Sequence, residues 1–268
     1  MPAFICATCG TQFAPADTAA GECPICEDER QYSPVGGQRW TTLDAMRNTH
    51  FNAWRACEPN LLGVGTVPAF AIAQRALLLR TKGGNILWDC ITLIDDATVE
   101  IIKAFGGISG IAISHPHYYA SMVEYAHAFG ATIWLHEGDR AHVMRPDASI
   151  RFWSGETHAL WDGITLINAP GHFDGATMLH WPDGADGRGA LLSGDIFTVV
   201  PDRKHVSFMR SYPNLIPLPA QTVRRMDALV QPFAYDRVYG AWWDRVIASG
   251  GKQAVAKSVA RYLKWIGG

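Results

Sequence analysis

No stretch of this chain carries the ~20 consecutive apolar residues that a membrane-spanning helix requires. The N-terminus, MPAFICATCG, lacks both a charged leader and a long apolar segment, so no secretory signal is expected and the cytoplasm is the expected location. Charge of one sign is not in excess. The 23 Lys and Arg against 25 Asp and Glu leave a formal net charge of −2. Broad electrostatic attraction to nucleic acid or to an acidic membrane is therefore not expected. No internal repeat stands out, which argues against a solenoid or a propeller. What the chain does have is 268 residues, 48% of them hydrophobic and 18% charged. That is enough for one large core-bearing domain and a small appendage.

The cysteines are few but unevenly placed. Four of the six, Cys6, Cys9, Cys23 and Cys26, form CATC and CPIC, with thirteen residues between the pairs. In a reducing compartment this spacing reads as a metal site and not as two disulfides. Each pair can form a tight knuckle offering two thiolates, and two knuckles close a tetrahedral shell with no open position. Gly10 and Pro24 suit such turns. Residues 1–32 are too poor in large apolar groups to fold unaided, so a structural zinc must supply the folding energy. Cys57 and Cys90 are expected to be small buried hydrophobes. QYSPVGGQRW (31–40) reads as a linker, and a second domain is expected over 41–268.

In that second domain strand and helix signals alternate. AFAIAQRALLLRT and GNILWDC predict two strands joined by a turn at Lys82-Gly83-Gly84. DDATVEIIKAFGG predicts a helix with an acidic start and a Gly-Gly stop. ISGIAIS is a short buried strand, YYASMVEYAHAFG a helix closed by Gly130, and ATIWLHE a strand. HALWDGITLINAP holds a strand, and ATMLHWP and GALLSGD flank a Gly/Asp-rich hairpin. Helices near 219–231 and 250–266 enclose the strand YDRVYGAW. Such a pattern predicts an α/β (α+β) fold of two mixed sheets packed together and covered by helices.

Residues able to bind metal fall at the ends of these strands: His115 and His117 after one, His172 after Pro170-Gly171, and Asp195 after LLSG. Strand ends in layered folds gather at one edge, where loops build sites on a rigid frame. Locally extended backbone through His115-Pro116-His117 would point both imidazoles the same way.

These segments resemble the metallo-β-lactamase fold superfamily, from about Leu62 to the C-terminus. GNILWDC resembles that family's strand ending in Asp, and SHPHYYA stands where the family has His-x-His-x-Asp-His. INAPGHFDGATMLHW resembles its Pro-Gly-His segment and LLSGDIF its Gly-Asp segment. The resemblance implies a four-layer αββα sandwich with the site on one edge. The N-terminal knuckles are similar to a rubredoxin-like zinc ribbon. By the resemblance, His115, His117 and His172 hold the first metal, and Asp195 matches the aspartate that bridges two metals. The second metal's other ligands are missing. Their positions read Tyr119, Ala120, and Ala241 or Trp242. A phenol with a pKa near ~10 stays neutral, and alanine and tryptophan offer no donor.

The expectation is therefore a mononuclear metal-dependent hydrolase of a small ester, lactone, thioester or amide. Three imidazoles and an open position suit a zinc-bound hydroxide, with Asp195 as fourth ligand or general base. Two alternatives stand. His115, His172 and Asp195 also match the iron ligands of the family's persulfide dioxygenases, which would make the main-site ion iron. A degenerate, non-catalytic binding protein is the third reading. Tyr118, Tyr119, Trp242 and Trp243 are candidates for an apolar substrate wall, core packing being the alternative. Asp89 is expected to orient the His-x-His loop. His136 and His142 read as structural, and His50, in the N-terminal helix region, is within reach of either the ribbon or the site. Lys204, His205 and Arg210 either bind an anionic group of a substrate or, as exposed charges usually do, form a solvated loop, which is the preferred reading. The ribbon either packs on the main domain, across a homodimer interface in one version, or recognises a macromolecule. Its paucity of Lys and Arg speaks against nucleic acid, so a small-molecule substrate is the expected partner.

Overall fold

The computed structural model describes residues 1–268, which form two compact units. The first comprises Met1–Leu135 with Arg140–Phe152, the second His136–Asp139 with Trp153–Gly268.

In the first unit the ribbon strand Ile5–Cys6 pairs antiparallel with Trp40–Thr41. The ribbon thus borrows its second strand from the end of the segment read as a linker. A seven-stranded sheet follows, its strands neighbouring one another in chain order. The strands Phe51–Glu58, Leu61–Val67, Ala76–Leu79 and Ile86–Trp88 run antiparallel. Gly110–Ala112 and Thr132–His136 then add in parallel, each reached through a helix. Parallel neighbours require such crossovers. Asp95 caps the first helix, Asp96–Ala104, by accepting from the Thr98 amide at 2.8 Å. Gly130, at φ 66°, closes the second, Met122–Phe129.

Three expectations change here. The helical region read around His50 is the short helix Leu43–Arg47, which ends before His50, and the hairpin Phe51–Val67 begins directly after that residue. The strand predicted over AFAIAQRALLLRT shrinks to Ala76–Leu79. The backbone after His115 is not extended, because Pro116–Tyr118 is a turn of 3₁₀-helix. Proline at the first helical position suits that turn as well as it suits an extended segment.

The second unit holds a six-stranded sheet. Its spatial order is Thr157–Ala159, Thr165–Asn168, Thr177–Trp181, Ala190–Gly194, Arg237–Gly240 and Val246–Ile247. Only Ala190–Gly194 and Arg237–Gly240 pair in parallel. HALWDGITLINAP holds the expected strand, Thr165–Asn168, and its first residues belong to a second strand, Thr157–Ala159, that pairs with it. The helices Ala220–Val230 and Gly251–Ile266 fall within a residue of their predicted bounds. Their apolar faces join a core with Ile167, Met178, Leu191, Phe197, Phe208 and Val238. Gly189 sits at φ 85° against another segment, and a Cβ there would lie 2.0 Å from the Ala234 carbonyl oxygen. No other residue fits that approach.

Candidate metal centres

Cys6 ends the first ribbon strand, and Cys23 and Cys26 bracket the start of the short helix Pro24–Glu27. All four ribbon cysteines are buried, and their sulfurs lie within 4.8 Å of one another. The Gly10 amide donates to the Cys6 carbonyl at 2.8 Å and the Glu27 amide to the Cys23 carbonyl at 3.0 Å, which makes each pair a knuckle. Cys6 Sγ lies 3.6 Å from Cys26 Sγ, and Cys9 Sγ 3.7 Å from Cys23 Sγ. Sulfurs placed ~2.3 Å from a central tetrahedral ion would stand ~3.8 Å apart, so the set fits zinc. The thiols perturb one another. Hydrogen bonding with Cys23 and Cys26 pushes the Cys6 thiol below its ordinary range, while Cys9 is pushed up by the same neighbours. An ion would take over this crowding by binding all four as thiolates.

The loop bearing His115 and His117 leaves the strand Gly110–Ala112. Asp89, at φ 58° beyond the strand Ile86–Trp88, accepts from the Ser114 amide at 2.8 Å. Its own amide donates to the Ala112 carbonyl at 2.9 Å. Asp89 therefore holds the loop at its root, as expected from its sequence position. Ser114 Oγ lies 3.0 Å from His115 Nδ1. The Tyr118 amide donates to the His115 carbonyl at 3.0 Å, which turns the chain so that the two imidazoles face each other edge-on, 5.1 Å between centroids. Both rings are buried.

In the second unit His172 follows the strand Thr165–Asn168 through Pro170-Gly171. Its Nδ1 lies 2.8 Å from the Arg210 carbonyl oxygen. A carbonyl can only accept, so Nδ1 carries the proton and Nε2 presents a lone pair. Asp195 is buried just past the strand Ala190–Gly194. Its carbonyl accepts from Thr198 Oγ1 at 2.8 Å and from Tyr212 Oη at 2.7 Å. Burial, and then the Asp195 charge, push the Tyr212 phenol well above its ordinary pKa, so it remains a donor. One donor atom each from His115, His117 and His172 lies within 4.8 Å of the others, and Asp195 is outside this group.

The residues considered for a substrate wall are placed differently from one another. Tyr118 is fully buried, its ring tilted against His115 at 4.4 Å. Tyr119 and Ala120 border a narrow gap beside the ribbon residues Thr11 and Gln12. Trp242 and Trp243 line a cavity of about 950 Å³ with Val199, Met209, Tyr212 and Leu215. His50 is bonded to its neighbour Thr49 Oγ1 at 2.8 Å. His136 Nε2 lies 3.2 Å from the Gly155 carbonyl oxygen, and His142 is half-buried. His205 pairs with Asp202 at 2.7 Å, and Lys204 donates its amide to the same carboxylate. Cys90 is buried, but Cys57 lies half-buried on the strand Phe51–Glu58 with Arg75 Nη1 at 3.8 Å from its sulfur. It is thus no core residue. Sequence reasoning missed Ser114, Thr198 and Tyr212. Hydroxyls aimed at a backbone carbonyl, or in Ser114 at the adjacent imidazole, leave no spacing to read.

No family model matches the sequence. The Bacillus subtilis (strain 168) uncharacterized protein YmaE is 48% identical over 266 residues, which cover 98% of this chain and 97% of that one. The chain belongs to the YmaE family. Among solved structures, the DIM-1 metallo-β-lactamase exposed to ceftazidime is similar over 78% of this chain and 97% of its own, with a TM-score of 0.57 and 12% identity. A B3 metallo-β-lactamase with an active-site glutamic acid covers 79% of this chain and 89% of its own, with a TM-score of 0.55 and 16% identity. The YmaE-family chain therefore has the metallo-β-lactamase fold. The four-cysteine cluster fits the expected zinc ribbon, and the three histidines fit a metal site. No helix is long and apolar enough to cross a membrane.

Proposed function

We propose that this protein is a metal-dependent hydrolase with one ion held by His115, His117 and His172, acting on a small ester, lactone, thioester or amide. The observation that carries the reading is the clustering of three buried imidazoles, their donor atoms within 4.8 Å. Bound there, zinc would supply Lewis acidity and an activated nucleophile at neutral pH. The chain's own residues prepare the site. The Arg210 carbonyl fixes the tautomer of His172. Asp89 holds the root of the loop bearing the other two histidines. Thr198 and Tyr212 clamp the backbone of Asp195, whose carboxylate would accept a proton or add a ligand. Neither Tyr119 nor Ala120 supplies a carboxylate or imidazole for a second ion.

The cavity lined by Trp242 and Trp243 suits the apolar part of a substrate, since its walls are largely aliphatic and aromatic. Tyr212 belongs to that wall, and its ring lies 5.9 Å from that of His172. We assign Tyr118 and Tyr119 to packing around the histidine loop and the two tryptophans to substrate. The ribbon thiolates suit a reducing compartment, so we place the protein in the cytoplasm.

Metal analysis tests the proposal. The purified protein should hold two ions per chain, and His172→Ala should hold one, with the ribbon still loaded. A panel of esters and thioesters should be hydrolysed by the wild type alone. One ion per chain in the wild type would end the hydrolase reading. Iron with oxygen uptake on a persulfide would replace it by a dioxygenase, and histidines that stay empty at saturating zinc would leave a binding protein.

A further inference from the structure

The ribbon takes no part in the chemistry proposed above, yet it is bonded directly to the segment that carries two of the histidines. Gly10, immediately after the first cysteine pair, offers its carbonyl to the Thr92 hydroxyl at 3.0 Å. The approach is so close that a Cβ on Gly10 would sit 2.6 Å from Thr92 Oγ1. Two residues on, the Gln12 amide donates to the Ala120 carbonyl at 3.0 Å. Ala120 stands three residues after His117, buried and at φ 44°. An alanine holds that conformation only where its surroundings over-determine it.

The side chains extend the connection. Gln12 Nε2 donates to Glu124 Oε1 at 3.1 Å, and Arg145 donates both to Gln12 Oε1 and, at 2.6 Å, to Glu124 Oε1. Glu124 belongs to the helix Met122–Phe129 that follows the histidine loop. Thr92 and the loop are also joined, because the Ser121 hydroxyl donates to the carbonyls of Thr92 and Ile91 at 2.6 Å and 3.2 Å. Gly10, Thr92, Ser121, Ala120 and Gln12 thus close a ring of contacts. The turn at its ribbon side is set by the knuckle, where the Cys6 amide donates to the Thr11 carbonyl at 3.0 Å.

We propose that the ribbon is a positioning element for the histidine loop. Metal in the four-cysteine site fixes the turn from Gly10 to Gln12, and that turn holds Thr92 and Ala120 so that His115 and His117 are ready for their own ion. Without ribbon metal the small knuckles lose their source of order, and the hold on Ala120 is lost with it. The inference rests on the reading of the three histidines as a metal centre, and not on which bond the site breaks.

Cobalt(II) titration of the full chain, with zinc already in the ribbon, tests it. The d–d absorption of cobalt on imidazoles reports the histidine site. A thiolate-to-cobalt band would report any exchange in the ribbon. Thr92→Val removes the hydroxyl at nearly constant volume, Gln12→Ala removes the bonds to Glu124 and Arg145, and Thr92→Ser keeps the hydroxyl. Thr92→Val and Gln12→Ala should each retain one ribbon zinc yet bind cobalt at the histidines about 10-fold more weakly, the range typical of lost outer partners. Thr92→Ser should bind as the wild type does. A Cys23→Ser, Cys26→Ser double variant, whose ribbon lacks half of its thiolates and keeps no tight ion, should weaken the histidine site in the same way. Unchanged cobalt affinity in Thr92→Val, in Gln12→Ala and in the double cysteine variant would overturn the inference. A wild type that takes up no cobalt at the histidines would sink the metal-centre reading, and this inference with it.

Discussion

Replacing Asp89 by alanine should weaken both the fold and the histidine site, by amounts that follow from two features of that residue. Its buried carboxylate accepts from the Ser114 amide at 2.8 Å. Losing it leaves a buried N–H without that acceptor, at a cost of about 1–3 kcal/mol. Asp89 also sits at φ 58°, where alanine is less at ease than a residue with a short polar side chain. That adds about 1 kcal/mol. A loss on the order of 3 kcal/mol corresponds to a melting temperature lower by roughly 6–12 °C for a chain of this size. Ser114 adjoins His115, so the same slackening should cost the site roughly 10–100-fold in zinc affinity. Asparagine keeps an oxygen for the Ser114 amide and tolerates positive φ. Asp89→Asn should therefore recover most of the stability and affinity. Chemical denaturation of the protein and chelator competition for zinc supplied to the histidine site measure the two effects. Wild-type values in Asp89→Ala would refute the reasoning. An Asp89→Asn as damaged as Asp89→Ala would show that the charge matters and the loop geometry does not.

Other outcomes follow from single observations. Trp243→Ala opens the wall of the cavity of about 950 Å³. It should lower kcat/KM about 10-fold for octanoyl esters, the worth of roughly two buried methylenes, and leave acetyl esters unaffected. Gly189→Ala would drive its Cβ to 2.0 Å from a backbone oxygen at φ 85°. It should cost on the order of 3–5 kcal/mol and yield little soluble protein on expression. His180 donates Nε2–H to the Ala234 carbonyl at 2.8 Å, and desolvation lowers its pKa more than that bond raises it. The unfolded chain therefore binds the proton more readily. His180 should contribute a loss of stability as the pH falls below about 6.5, and His180→Asn should flatten that part of the pH–stability curve.

Sequence and tertiary structure contributed different things. Short-range patterns were legible without coordinates. Two Cys-x-x-Cys pairs, the capped helix at Asp95 and the helix stopped by Gly130 all depend on neighbours a few residues away. The histidines were legible because ligand-type residues at successive strand ends carry a recognisable spacing. The hairpin Phe51–Val67 was not. None of the residues of its first strand is buried, so that edge strand lacks the alternation of a half-covered one. The course of the chain at Pro116 was also ambiguous, since proline at that point is compatible with both extended backbone and the first turn of a helix.

By itself, the amino-acid order determined which donor atoms stand where: thiols in two Cys-x-x-Cys pairs, imidazoles at positions 115, 117 and 172, and a phenol and a methyl group at 119 and 120. Only the tertiary structure decided what those atoms lean on. Asp89 meets Ser114, Gln12 meets Ala120, and Tyr212 meets Asp195 across 25, 108 and 17 positions of chain. Each of these is a hydrogen bond from or to a backbone group. Every residue carries such groups, so no side-chain pattern announces which of them will pair.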